Sequence, residues 1–263
     1  MKIPTKIKTL ISDRLFLIIK YKINRCLVKI VFARSSRKIV FLSRFKTHPN
    51  LPCLVQESKS QFLQDVVALH YSDYKKRGGY FVEVGAGDGT HMSNTVLLEK
   101  NYEWVGILAE PNKSQYDKIL KTRSCHFSNK IVYSESDIDL IFNETFHECL
   151  STTEDYLQSD GHVTSRIDLN ILRSYSVKTI SLVDLLDTYQ SPKFIDFLSL
   201  DTEGMEYSIL STFNFDIYKI KFICVEHNFT ENRSRIFKLL TTNGYKRIYE
   251  SISDVDDWYL LDI

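Results

Sequence analysis

The sequence predicts an α/β protein with an open, doubly wound, mostly parallel sheet, an antiparallel C-terminal edge hairpin and a basic N-terminal helical extension. Three observations carry this prediction. From Tyr80 onward, short β-branched and aromatic runs alternate with segments of helical character, the pattern of parallel strands covered by helices on both faces. The first of those strands breaks into "GAGDG", Gly85 to Gly89, and glycines there let the backbone adopt positive φ and approach a ligand closely. The last two strands are joined by a short turn, as in an antiparallel hairpin.

The 263 residues are 43% hydrophobic and 25% charged, a globular composition with room for one main core and a small appendage. The net charge of +1 hides an asymmetry. Met1 to His48 carries thirteen Lys or Arg against one acid, Asp13, whereas the remaining 215 residues carry 21 basic and 32 acidic side chains. The five cysteines, Cys26, Cys53, Cys125, Cys149 and Cys224, include no C-x-x-C pair. That argues against a disulfide framework or a cysteine-held zinc, and for a reducing, cytoplasmic setting.

The chain divides into residues 1–50, a basic extension and linker, and 51–263, the main domain. "LFLIIKYKINRCLVKIVF", Leu15 to Phe32, is interrupted by Lys20, Lys22, Arg25 and Lys29. Its longest apolar run falls far short of the roughly 20 residues that cross a bilayer, and no cleavage-site pattern follows. It reads as a basic amphipathic segment. One partner for residues 1–46 is an anionic membrane surface, with lysine and arginine stems snorkelling outward; the other is a packing or subunit contact. No nucleic-acid partner is expected. "THPNLPC", with two prolines in four residues, reads as the linker.

A helix is expected in "SQFLQDVVALHYSDY", where Phe62, Val66 and Leu69 share a face and Ser60 offers an N-cap. The alternation follows: strand Tyr80 to Val84, helix Met92 to Lys100, strand Trp104 to Ala109, helix Lys113 to Lys121, strand His126 to Val132. Residues 135 to 176 read as irregular, with short antiparallel strands. Then come helix Leu182 to Thr188, strand Phe194 to Leu200, helix Met205 to Thr212, strand Lys221 to Glu226 and helix Glu231 to Thr242. Strands Tyr245 to Glu250 and Asp257 to Leu261 end the chain.

In such sheets the ligand sits outside the carboxyl ends of the strands where strand order reverses, so the glycine loop Gly85, Gly87, Asp88, Gly89 is the first candidate site. Taken alone it suits a dinucleotide, a nucleoside or tight packing. It lacks the lysine and hydroxyl of a phosphate-binding P-loop. Glu83, just before the first glycine, would repel a diphosphate but attract the ammonium of an amino-acid moiety, which favours S-adenosylmethionine over NAD(P). Glu110 ends the next strand 23 residues after Gly87, where nucleotide-binding sheets place the acid that bonds ribose hydroxyls; the alternative is a cap on the "PNKS" helix start. His91 is either at the pocket mouth or an exposed loop histidine.

These stretches, with "SQFLQD", "GGYFVEVGAGDGTHMSNT", "GILAEPNKSQY", "FLSLDTEGMEYSIL", "CVEHNFTENR", "NGYKRI" and "DDWYLLD" in that order, resemble the FkbM-type S-adenosylmethionine-dependent methyltransferases over about residues 58–263. The resemblance implies a class I methyltransferase (Rossmann-like) fold with a seven-stranded sheet. It also implies cofactor binding by Glu83, Gly85, Gly87 and Glu110, and methylation of a hydroxyl on a sugar, glycolipid or related metabolite. Residues 1–50 lie outside it.

Methyl transfer to an alcohol needs in-line positioning and a group that removes the proton. Asp201 and Glu203 of "DTEG" and Glu226, His227 and Asn228 of "VEHN" should meet above one sheet edge. His227, whose ordinary pKa is nearest neutrality and which nearby carboxylates would raise, is the expected base. Asp201 would orient the methionine moiety or the acceptor, and Glu203 would serve in catalysis or cap the helix near Met205. The Asp201, Glu203, Glu226, His227 set also suits a divalent metal such as Mg²⁺. An NAD(P)-dependent enzyme and a noncatalytic, membrane-associated binding protein are the alternatives.

Overall fold

The computed structural model describes residues 50–74, 77–145, 151–153, 171–250 and 252–262. The basic N-terminal segment lies outside them. Two compact units emerge, Met1–Ser58 and Lys59–Ile263. In the first, the described element is α1, Leu51–Glu57. Pro52, assigned above to a linker, lies instead in its first turn, where the missing N–H would have had no intrahelical partner.

The second unit opens with α2, Gln64–Tyr71. Ser60 does reach the helix, but Leu63 in the left-handed region (φ 68°) is the residue at the cap position, and Ser60 Oγ accepts the Asp65 N–H at 3.3 Å. The helix is buried beyond one face, with Val66, Val67, Ala68 and Leu69 all inaccessible. The alternation then runs as β1 Tyr80–Val84, α3 Val96–Tyr102, β2 Val105–Ala109, a 3₁₀ turn Lys113–Gln115, α4 Tyr116–Thr122 and β3 His126–Ser128. The expected single strand to Val132 is broken at Asn129 and Lys130. After them β4, Ile131–Tyr133, leaves for a second sheet.

The stretch expected to be irregular with short antiparallel strands contains β5 Asp139–Thr145, the short β6 Thr152–Thr153 and β7 Ile171–Ser181, which at eleven residues is longer than expected. β5 pairs antiparallel with β7, Asp139 opposite Lys178, and β4 runs parallel to β7. The order of this sheet is β4-β7-β5-β6. The exposed residues mix polar side chains with Ile141, Ile171 and Leu172, which blurs the period-two pattern; β7 buries only Val177, Thr179 and Ile180 near its end. The chain closes with α5 Leu182–Thr188, β8 Phe194–Leu200, α6 Glu206–Ser211, β9 Lys219–Glu226, α7 Asn232–Thr242, β10 Tyr245–Ile248 and β11 Asp256–Leu261.

The main sheet has seven strands in the order β10-β11-β9-β8-β1-β2-β3. β1 lies parallel between β2 and β8, and β8 pairs parallel with β9. β11 runs antiparallel to both β9 and β10, the expected edge hairpin. All five residues of β1 are buried, as a central parallel strand covered on both faces requires. Large aromatics fill the layers, including stacked Phe197 and Phe222 with ring centres 5.3 Å apart. No helix among the described residues is long and apolar enough to cross a membrane. Strand order reverses between β1 and β8, and the site lies beyond their carboxyl ends.

Candidate active site

A cleft of about 310 Å³ opens there, lined by the turns after β1, β2, β8 and β9. Of the candidate residues, Glu83, Gly85, Gly87, Asp88, His91, Glu110, Asp201, Glu203 and Glu226 line it; His227 and Asn228 do not.

The glycines divide by role. A Cβ on Gly85 would lie 1.7 Å from the Asp201 carbonyl oxygen, so its lack of a side chain permits the close crossing of the β1 and β8 exits. Gly87 has φ 54° and open space where a Cβ would stand, so its backbone is bare toward the cleft. Its N–H donates to Glu110 Oε2 at 2.7 Å, and the Asn112 N–H donates to Glu110 Oε1 at 2.8 Å. Burial pushes the Glu110 carboxyl up to about 7; these two bonds oppose the shift, and the charges of Asp201 and Glu144 add to it. Each Glu110 oxygen keeps acceptor capacity for a hydroxyl. The helix-cap alternative belongs instead to Asn112, whose side chain accepts from the Ser114 N–H.

Glu83 is buried and accepts from Ser93 Oγ, the Asn94 N–H and Thr95 Oγ1, at 2.9, 2.6 and 2.5 Å. It pins the segment after the glycine loop, so Met92–Thr95, expected in the helix, is loop and α3 begins at Val96. Asp88 Oδ1 accepts from Thr90 N, Thr90 Oγ1 and His91 N. Burial raises its pKa, but those bonds and Lys118 outweigh it and leave it lowered. His91 is exposed on the cleft wall.

At the other end, β8 and β9 deliver Asp201, Glu203 and Glu226. One carboxylate oxygen of each lies within 4.8 Å of the others, a spacing and donor type that a hard divalent cation accepts. Although Asp201 opens to the cleft, the surrounding protein pushes its carboxyl up to about 7, aided by the charges of Asp256, Glu206 and Glu83 and opposed by a bond with Glu226. Burial, then the charges of Asp201, Glu203 and Glu206, raise Glu226 well above its ordinary range. Glu226 Oε2 has no hydrogen-bond partner. Glu203 sits in the left-handed region at φ 58°. It does not supply the expected cap: the N–H groups of Thr202 and Gly204 and the Thr202 hydroxyl all donate to Glu206 Oε1.

His227 is directed elsewhere. Its side chain is buried, Nδ1 accepts the Phe229 N–H at 3.0 Å, and Nε2 faces Asp257 Oδ1 at 3.6 Å. Its pKa is lowered, not raised as expected, because burial outweighs Asp257, and Arg233 and Arg247 oppose the charge further. Asp257 is itself bound by Arg233 at 2.8 and 2.9 Å and by Arg247 at 3.2 Å.

The sequence reading did not single out four cleft residues. Gln64 donates to Asp256 at 2.8 Å, and burial pushes Asp256 up to about 6. Asn94 donates to Ser199 Oγ at 2.9 Å and leaves its buried Oδ1 without a partner; Gln61 completes this wall. Only Asp256 left a signal, in the paired acids of "DDWYLLD", since it faces Glu226 across β9 and β11. Gln61 and Asn94 reach the cleft through loop paths that no periodicity encodes, and Gln64 does so from the first position of α2.

A comparison with curated proteins found no match. Among solved structures, a precorrin-6y C5,15-methyltransferase from Geobacter metallireducens GS-15 is similar at 12% identity, over 78% of this chain and 79% of that one, with a TM-score of 0.40. A methyltransferase FkbM from Methylobacillus flagellatus KT is similar at 13% identity and a TM-score of 0.43; the alignment covers 81% of this chain and 59% of that one. The model of the methyltransferase FkbM domain matches residues 83–258, from the acid before the glycine loop to the last strand. The chain therefore belongs to the FkbM methyltransferase domain family.

Proposed function

We propose that this methyltransferase uses S-adenosylmethionine to methylate a hydroxyl of a sugar, glycolipid or related metabolite. The observation that carries the reading is a single cleft joining the open backbone at Gly87, beside Glu110, to the carboxylates of Asp201, Glu203 and Glu226. The residues fit the donor. Glu110 has acceptor capacity for ribose hydroxyls, Pro111, Ile131 and Val132 give apolar walls for a purine, and the unpartnered Asn94 Oδ1 offers an acceptor to an ammonium on the wall that Glu83 also lines. When bound, S-adenosylmethionine supplies a methyl group activated by its sulfonium.

The chain's own task is to hold the acceptor hydroxyl in line with that methyl group and to take its proton. Asp201 is the base in this reading, because its carboxyl, pushed up to about 7, is matched to proton transfer near neutrality. Glu203 and Glu226 hold the acceptor. A second reading, favoured by the unpartnered Glu226 Oε2, places a divalent cation on Asp201, Glu203 and Glu226 to lower the hydroxyl's pKa. Residues 1–46 would attach the protein peripherally to an anionic cytoplasmic membrane face, where a lipid-linked acceptor is accessible.

Titration calorimetry with S-adenosylmethionine, S-adenosylhomocysteine and NAD⁺ tests the cofactor. Binding of NAD⁺ alone would favour the NAD(P)-dependent alternative. Release of S-adenosylhomocysteine over a panel of hydroxylated acceptors tests the reaction, and a noncatalytic protein would release none. Activity lost in EDTA and restored by Mg²⁺ or Mn²⁺ would select the metal reading.

A further inference from the structure

A buried ion-pair network lies behind the glycine loop. Its centre is Arg123, the residue that closes α4, with a side chain only 1% exposed. The guanidinium Nε donates to Glu99 Oε2 at 2.6 Å. One terminal nitrogen donates to the Gly89 carbonyl at 2.8 Å and to Ser93 Oγ at 3.2 Å, and the other donates to Thr95 Oγ1 at 2.9 Å. Glu83 Oε2 stands 3.8 Å from the same group. Glu99, on α3, also accepts the Ser124 N–H at 2.7 Å. Burial alone would raise the Glu99 carboxyl, but the Arg123 charge and the bonds from Ser124 and Arg123 leave it lowered. Arginine suits this place because its planar fork reaches a carboxylate, a carbonyl and two hydroxyls at once, which a lysine ammonium does not.

Stability alone does not account for the network. Taking a cation and its carboxylates out of water is costly, and apolar side chains of similar volume often serve a fold as well or better. An apolar side chain could not, however, hold the carbonyl and hydroxyls of the loop. The bonds lead from Arg123 to the cleft. Thr95 Oγ1 and Ser93 Oγ each accept from Arg123 and donate to Glu83 Oε2, and Glu83 Oε1 takes the Asn94 N–H. Asn94 is thereby held between Glu83 and Ser199, to whose Oγ its side chain donates at 2.9 Å. Glu83, Ser93, Asn94 and Ser199 line the cleft, and Arg123 does not. We infer that Arg123 is a positioning residue for the donor: it fixes Ser93–Thr95 so that Asn94 is already in place for the amino-acid end of S-adenosylmethionine. This inference rests on the S-adenosylmethionine reading above. The adenosine end, set against Glu110 and Pro111 in that reading, is held by other elements, so the network governs one end of the ligand only.

The test uses the full chain and two ligands, S-adenosylhomocysteine and 5′-deoxy-5′-methylthioadenosine, which shares the adenosine and the thioether but lacks the amino-acid end. Arg123→Lys keeps the buried charge without the fork, and Thr95→Val removes the bridging hydroxyl while leaving the arginine. Thermal melting shows which variants fold, and calorimetry, by displacement where binding is weak, gives the affinities. Each folded variant is expected to bind S-adenosylhomocysteine about tenfold or more weakly than the wild type, and methylthioadenosine within about twofold of it, because only the amino-acid end loses its preorganised partner. A merely structural role would lower the melting temperature and leave both affinities unchanged or weaken both alike; either result in a folded variant overturns the inference. If Arg123→Lys does not fold, Thr95→Val decides by the same criterion. A wild type that binds the two ligands equally also overturns it, since the amino-acid end would then contribute nothing. A wild type that binds neither removes the inference together with the reading beneath it.

Discussion

Replacing Gly87 by alanine separates the cleft-facing glycine from its structural neighbour. The structure puts nothing within 4 Å of the added Cβ, so the cost to the unliganded fold is the left-handed backbone alone, about 1–2 kcal/mol for a non-glycine residue. For a folded unit of this size that is a fall in Tm of about 2–8 °C. The same methyl group stands in the open space through which the cofactor would approach, so affinity for S-adenosylhomocysteine should drop by tenfold or more, about 1.4 kcal/mol. Gly85→Ala is the control. Its Cβ would overlap the Asp201 carbonyl at 1.7 Å and force apart the strand exits joined by the Asp201 N–H and the Val84 carbonyl, a loss of roughly 4 kcal/mol or more. Differential scanning fluorimetry reads the first quantity and titration calorimetry the second. Binding within twofold of wild type in Gly87→Ala, or a Gly85→Ala protein as stable as Gly87→Ala, would refute the division of roles.

Glu110→Ala should weaken S-adenosylhomocysteine binding tenfold to a hundredfold by calorimetry, since a hydrogen bond to a charged group contributes roughly 1.5–3 kcal/mol. The folded pKa of Glu110, about 7, lies above its unfolded value, so its contribution to stability is full below about pH 4.5 and is lost as pH rises through 7. The unliganded protein should accordingly lose thermal stability between pH 5 and 8, and Glu110→Gln should flatten that slope in a melting series. Asp201→Asn should lower kcat by roughly 10² to 10⁴, whereas His227→Ala should leave the pH profile of the rate in place; loss of the pH dependence in His227→Ala would return the base role to the histidine. Deleting residues 1–46 should abolish sedimentation with anionic vesicles while leaving cofactor binding intact, and association of the full chain should weaken steeply with salt; vesicle binding by the truncated protein would refute the attachment proposal.

The sequence alone determined the alternation from β1 to β9, the edge hairpin, the glycine turn and the acid 23 residues beyond Gly87, because each is written in local pattern: strand runs, turn glycines, spacing along one chain segment. It suggested antiparallel strands in residues 135–176 but not the bounds or length of β5 and β7, which gain their place by pairing with each other across 26 or more residues. Tertiary structure alone decided what the site residues face. Gly85 and Gly87 are two positions apart, yet only the crossing of β8 over Gly85 distinguishes a packing glycine from one open to the cleft. Glu226 and His227 are adjacent, but a strand turns successive side chains to opposite sides, so Glu226 joins Asp201 in the cleft while His227 is buried against Asp257 from β11. Charge, burial and reach at such positions depend on neighbours that are distant in sequence, and those neighbours are set only when the sheet closes.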